Sequence, residues 1–344
     1  MHHIRLIFAA SLGLANTSTT SPHETPLARV QQAGIPKLEV IPVQLEWPTR
    51  QQVVEADVAK FRREFARRVQ ANDYSSKWNK CFSTTSAEYN PADAKALRAN
   101  SIRYQKTGHF TEKEMIVVID AGHGHEVGGS YDPGTTHGSL HEAKMVDPIV
   151  TKIKAKLESE GIIVVLTRSP LSEGYSLAQN TSKFRNQKVA LQIRAEMASY
   201  IAEKHPDAEV VFASFHIDTG ASGSGIYYYA PYRGGPTDSP ESKRLATTIN
   251  AHYRLRPGAP GYALSNDYAV TRCQIVPSIL AELGSINVEE DRKALMNSEA
   301  ISTQIVNGFK AYFEESYRAR AVYAENQKWT KPVESIVFAS NEPQ

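Results

Sequence analysis

Residues 115–124 read Met115-Ile116-Val117-Val118-Ile119-Asp120-Ala121-Gly122-His123-Gly124. Five apolar residues in a row, four of them β-branched, lack the polar alternation of a half-exposed strand. Such a run predicts a strand buried on both faces, as in a parallel sheet. Similar runs follow at 162–166, 210–215 and 279–283, and Gly225-Ile226-Tyr227-Tyr228-Tyr229 reads as a further strand. Helical periodicity fills the gaps between them. One helix is expected over 150–160, stopping at Gly161, and another over 189–204, stopping before Pro206. Two more are expected over 242–253 and 291–312. Strands alternating with helices imply an α/β fold: a mainly parallel or mixed twisted sheet with helices on both faces.

Upstream of this pattern the character differs. Residues 1–22 open with Met1-His2-His3-Ile4-Arg5 and the short apolar run Leu6 to Ala15. One positive charge, a short apolar stretch and a small-residue end have the form of a secretory leader, and a disordered N-terminus is the competing reading. The run is too short to span a bilayer, and no later segment is long enough, so no membrane span is expected. Residues 23–110 read as a linker followed by a smaller, largely helical region. Within it, Val54, Val58, Phe61, Phe65 and Val69 fall at helical spacing over 51–70, with a basic opposite face. The catalytic domain is expected over 115–315, and 316–344 as a polar C-terminal tail.

Composition narrows the function classes. The chain has 344 residues, 41% apolar and 22% charged, which suits a soluble globular protein rather than a disordered or membrane one. A formal net charge of +2 gives no footprint for nucleic acid. Residues 1–114 hold 16 Lys+Arg against 11 Asp+Glu, a mild excess that a solvated helical face explains. The two cysteines, Cys81 and Cys273, form no CxxC pair. They build no Cys-based zinc site, and the sequence leaves their pairing open.

In open α/β sheets ligands bind beyond the carboxyl ends of the strands. The reactive side chains expected there are His123 after the first strand, His216 in His216-Ile217-Asp218, and Glu282 near the end of 279–283. Glu142 follows the first long loop. Two imidazoles and a carboxylate make a common hydrolytic zinc set that leaves a position for water, and a second carboxylate can move protons. Glu282 sits in an apolar run, where an unpaired carboxylate is costly to bury without a functional partner. Glu142 keeps two readings. Ser139-Leu140-His141-Glu142 has the form of a capping box, which would put Glu142 at the third helical position for structural reasons. Alternatively, Asp147-Pro148 starts the helix later and leaves Glu142 in a loop. His125, His137 and His141 are weaker candidates.

Taken in order, these stretches resemble the zinc-dependent N-acetylmuramoyl-L-alanine amidases of bacterial cell-wall enzymes and phage endolysins, over roughly 115–313. Val117 to Gly124 resembles the family's first strand and first ligand, and Asp132-Pro133-Gly134 the loop after it. His141-Glu142-Ala143 resembles the second-ligand segment, and Val164-Val165-Leu166-Thr167-Arg168 the strand closing the first crossover. Ser214-Phe215-His216-Ile217-Asp218 is similar to the third-ligand motif, and Val276 to Gly284 to the catalytic-glutamate strand.

The resemblance implies Zn2+ held by His123, Glu142 and His216, with Glu282 as general acid/base. It implies peptidoglycan as substrate, cut between N-acetylmuramic acid and L-alanine, and a secreted or periplasmic site of action. The rival readings are a zinc peptidase acting within the stem peptide and a non-catalytic peptidoglycan-binding relative. The segment between His123 and Glu142 is longer than the family's usual one, which leaves Glu126 as a poorer substitute for Glu142. Ser285-Ile286-Asn287 also departs from the family's pattern after the glutamate strand.

Overall fold

The computed structural model describes residues 48–71, 114–127, 130–169, 187–231, 233–235, 237, 239–272 and 274–330. They lie within one compact unit, Pro48–Gln344, and the other unit, Met1–Trp47, lies outside the described residues. The leader-like segment, most of the linker, Cys81, Cys273 and the chain beyond 330 also lie outside them.

In chain order the elements are α1 (Arg50–Gln70), β1 (Met115–Ala121), β2 (Glu126–Val127), β3 (Ser130–Tyr131), β4 (Thr136–His137), β5 (Leu140–His141) and α2 (Glu142–Ser159). There follow β6 (Ile163–Leu166), α3 (Gln187–Lys204), β7 (Glu209–Asp218), β8 (Ser224–Tyr229) and α4 (Pro240–His252). The last are β9 (Gly261–Asn266), α5 (Ala269–Arg272), β10 (Ser278–Ser285), α6 (Glu289–Leu295) and α7 (Ser298–Thr330). Six strands form one mixed sheet in the order β6-β1-β7-β10-β8-β9. The first four run parallel; β8 is antiparallel to β10, and β9 runs parallel to β8.

Period-two alternation divides the sheet's side chains between two apolar layers. Val117, Ile119, Val211, Ala213, Phe215, Ile279 and Ala281 point one way and pack against α2, α4 and α7. Ile116, Val118, Val210, Phe212 and Leu280 point the other way, toward α1 and α3. This second face also carries Asp120, Ser214, His216 and Glu282, which continue the same alternation toward the strand ends.

Helix α1 matches the period read from the sequence. Its start is a capping box: Thr49 Oγ1 accepts from Gln52 N–H at 3.3 Å, and Gln52 Oε1 accepts from Thr49 N–H at 2.8 Å. Val54, Val58, Phe61 and Phe65 are buried in the layer that holds Ile116 and Val118. Each large apolar side chain so buried contributes about 1.5–3 kcal/mol. Arg62 Nη2 donates to Leu166 O at 2.8 Å, and Arg68 Nη1 pairs with Glu196 Oε2 of α3 at 3.1 Å. The core of the domain thus includes a helix that precedes residue 115.

Three expectations change. Helix α2 begins at Glu142, not after Pro148, and Pro148 sits inside it. The expected helix over 291–312 is two helices, and α7 continues through the segment read as a tail, to Thr330. Strand β9 was not expected, because the edge position leaves it mostly half-buried and so without a continuous apolar run.

Candidate metal centre

Three segments bring His123, Glu142 and His216 together. One ligand atom from each lies within 4.8 Å of the other two. His216 Nδ1 is 2.9 Å from Glu142 Oε1, and His123 Nε2 is 3.3 Å from Glu142 Oε2. A tetrahedral zinc with bonds near 2.0–2.1 Å separates its ligand atoms by about 3.3 Å, so little movement is needed.

His123 leaves the end of β1 with φ of 57°, the left-handed region rarely used by non-glycine residues. Its Nδ1 lies 2.7 Å from Asp132 Oδ2, while Asp132 Oδ1 accepts from Gly134 N–H at 3.0 Å. An ionised carboxylate only accepts, so Nδ1 carries the proton and Nε2 turns its lone pair toward Glu142. Burial alone would raise the Asp132 carboxyl; the hydrogen bond from His123, its charge and the Gly134 N–H outweigh that and lower it to about 2.

Glu142 is the first residue of α2 and its side chain is 2% exposed. The helix start has no side-chain cap. Instead Glu142 N–H donates to Thr135 O at 2.9 Å, and Ala143 N–H to Pro133 O at 3.0 Å. The capping-box reading therefore fails, since the preceding loop's carbonyls satisfy the helix start. The carboxylate is then free to turn inward, where Oε1 accepts from Ile217 N–H at 3.0 Å and Oε2 from Thr135 N–H at 2.8 Å. Burial opposes ionisation, but the His216 hydrogen bond, the two imidazoles and Thr135 N–H bring the acid down to about 2.

Two glycines make room. A Cβ on Gly122 would come within 2.4–2.7 Å of the His216 ring, and one on Gly134 within 2.5 Å of Glu142 Oε2 and 2.6 Å of His123. With two nitrogens, one carboxylate oxygen and this clearance, the set fits a divalent ion such as zinc.

Glu282 lies directly across from His216 in the parallel pairing of β10 with β7, and across from Gly225 of β8. It is not among the three grouped ligands. Its Oε2 is buried and has no hydrogen-bond partner among the described residues. Burial first, and then the charges of Glu142 and Asp218, push its acid well above the ordinary 4.5. A carboxyl whose acid is raised, beside a metal set, is suited to taking up and returning a proton. Ser285, the last residue of this strand, and Asn287 just past it tie to the facing loop: Ser285 Oγ donates to Gly220 O at 2.7 Å and Asn287 Nδ2 to Thr219 O at 3.1 Å.

The other histidines stand apart. His125 is buried with Nδ1 3.4 Å from Asp132 Oδ2, and burial, then Arg194, lower it to about 4. His141 hydrogen-bonds the Tyr131 hydroxyl. His137 is exposed on β4. Glu126 is placed in β2, outside the three-residue group. Asp132 went unassigned in the sequence, although its position two residues before Gly134, in a loop required to fold back on His123, was a usable signal.

The family model for N-acetylmuramoyl-L-alanine amidase matches residues 117–311. Protein YqiI of Bacillus subtilis is 29% identical over 207 residues, covering 58% of this chain and 85% of its own. Among solved structures, the CwlD amidase of Clostridioides difficile in complex with the GerS lipoprotein has 25% identity and a TM-score of 0.46, with coverage of 58% of this chain and 99% of that one. The amidase AmiC2 of Nostoc punctiforme has 25% identity and a TM-score of 0.43, with coverage of 58% and 97%.

Proposed function

This chain belongs to the N-acetylmuramoyl-L-alanine amidase family, and from that premise we propose that it cuts the amide between N-acetylmuramic acid and L-alanine with zinc held by His123, Glu142 and His216. The observation that carries the reading is the convergence of those three side chains near a buried carboxylate, Glu282, whose Oε2 has no hydrogen-bond partner among the described residues. Zinc in this set would polarise the scissile carbonyl and make a water molecule acidic.

The chain's own residues supply the rest. Asp132 holds His123, and Ile217 N–H and Thr135 N–H hold Glu142, so both side chains are oriented before a metal binds. Glu282 accepts the proton of the attacking water and passes it to the leaving nitrogen of L-alanine. Its pairing opposite His216 supports this role. The low-dielectric pocket that raises its acid strengthens its hold on the proton it must carry. Peptidoglycan lies outside the cytoplasmic membrane, which supports a secreted or periplasmic site of action, and no helix among the described residues is long and apolar enough to cross a membrane.

The test uses purified full-length protein and isolated peptidoglycan. Expected are about one zinc per chain, release of new N-terminal L-alanine with glycan strands left bare of peptide, loss of release on chelation and recovery on adding zinc. Products cut within the stem peptide would overturn the amidase assignment in favour of a peptidase.

A further inference from the structure

Behind the two imidazoles lies a buried polar network that the reaction itself does not use. His216 Nε2, the nitrogen turned away from Glu142, is 3.1 Å from Ser214 Oγ. Ser214 Oγ is 2.6 Å from Asp120 Oδ2. Asp120 Oδ1 accepts from Thr167 Oγ1 at 2.5 Å and from Arg194 Nη1 at 2.9 Å. Arg194 then reaches the other ligand loop: Nη1 donates to Ala121 O at 2.9 Å and Nη2 to His123 O. Arg168 adds Nε donations to Ala121 O at 2.9 Å and His123 O at 3.0 Å, and its Nη2 pairs with Asp147 at 2.8 Å. Asp120, Thr167, Arg168, Arg194 and Ser214 are each at most 2% exposed.

A stabilising ion pair is the simpler account, and it explains the placement poorly. Buried ion pairs contribute no more than apolar side chains of equal volume, because desolvation offsets their attraction. Here the preceding positions of β1 and β7 on this face are apolar, and the charged set comes in at the strand ends, under the two histidines.

The hydrogen-bond directions decide what the network does. Paired with Arg194, Asp120 is ionised and can only accept. Ser214 must therefore spend its one proton on Asp120, and its oxygen is left to accept. His216 must then donate from Nε2, so when Nδ1 exchanges its proton contact with Glu142 Oε1 for a cation, the imidazole keeps its Nε2 proton and offers the Nδ1 lone pair. On His123 the opposite assignment holds, with Nδ1–H donating to Asp132 and Nε2 turned to Glu142.

We propose that Asp120, acting through Ser214, is a positioning residue that locks His216 in its Nε2-protonated form and so presents Nδ1 to the metal, while Arg194 couples this arm to His123 by holding its carbonyl. The proposal rests on the zinc reading above for its purpose but not for its geometry. Arg194 and Arg168 also hold the one non-glycine residue with positive φ among those described, so the same charges fix the strained backbone that aims His123.

Two measurements test it. In metal-free, 15N-labelled wild-type protein at neutral to mildly alkaline pH, long-range 1H–15N spectra should show a proton on His216 Nε2, with or without a second proton on Nδ1 toward Glu142; protonation on Nδ1 alone would overturn the relay. In Ser214→Ala and Asp120→Asn, zinc affinity, read by competition with a chromophoric chelator, should fall about 10–100-fold, the usual loss when a ligand's supporting partner is removed. A Ser214→Ala protein that folds, keeps the Nε2 form and binds zinc as wild type does would also overturn it. Should a variant not fold, the wild-type spectrum still decides. A wild-type protein that takes up no zinc would sink the proposed function instead, and leave the tautomer measurement valid.

Discussion

Replacing Glu282 by glutamine should separate catalysis from metal binding and from stability. The side chain keeps its size, loses its charge and can no longer accept and return a proton. General acid–base assistance is worth about 10²- to 10⁴-fold, or roughly 2.7–5.5 kcal/mol of barrier. A loss of that order is expected in the release of N-terminal L-alanine from peptidoglycan. Zinc affinity should be nearly unchanged, because the grouped ligand atoms belong to His123, Glu142 and His216.

Stability should move the other way. Glu282 Oε2 is buried with no partner among the described residues, and its acid is raised. An acid raised in the folded state binds its proton more tightly there than in the unfolded chain. Metal-free wild type therefore loses stability as pH climbs above the ordinary value of 4.5, and the loss levels off once the folded-state group has also ionised. Glutamine has no such decline. Glutamine still buries a polar amide there, so what it relieves is the charge alone, about 1.4 kcal/mol for each pH unit between the ordinary and the folded-state value. Melts of metal-free protein at several pH values should show the variant's advantage opening above that point. A variant within tenfold of the wild-type rate would refute the catalytic role. One that melts below wild type at pH 8 would refute the account of an unpartnered carboxylate.

Glu142→Gln should reduce zinc binding severely and also destabilise the metal-free protein by about 1–3 kcal/mol, because one amide oxygen replaces two that accept from Ile217 and Thr135; metal analysis and thermal melts check both. Gly134→Ala places a Cβ 2.5 Å from Glu142 Oε2 at a φ of +68°, so zinc affinity should fall and stability drop by more than the ~1–2 kcal/mol of the left-handed conformation alone. Glu142 and Asp132 are both lowered to about 2, so they contribute stability above their ordinary values that is lost as pH falls toward 2. Asp132→Asn should therefore flatten the acid limb of a metal-free stability–pH curve, as followed by circular dichroism.

How far the sequence reached depended on whether local pattern carried the information. Continuous apolar runs are a local property, so β1, β6, β7, β8 and β10 could be read directly, and with them the strand ends that place His123, His216 and Glu282. Edge strand β9 has no such run and left no trace. The network beneath the histidines was missed for a different reason. Arg194 is recognisable only when α3 is laid over β1, since its partners lie 71–74 residues away in Asp120, Ala121 and His123. Asp120, though, offered the same signal as Glu282, a carboxylate at the end of an apolar run whose burial demands a partner.

Glu142 shows why the two sequence readings were not true alternatives. A carboxylate three residues past a serine and one that binds a metal both want the start of a helix, because the N-terminal dipole favours a negative charge there. The deciding fact is where the helix's first N–H groups go. Had Ser139 capped them, the glutamate would have turned back on the chain. Thr135 O and Pro133 O take that role instead. The side chain is thereby released toward β7, where Ile217 N–H and Thr135 N–H bind one oxygen each and hold it ionised. Each oxygen keeps a lone pair beyond those bonds. A carboxylate held in this way is low in pKa, fixed in direction and still able to bind a cation, and the loop before it, with Gly134 at its crossing point, is the part of the chain that delivers it.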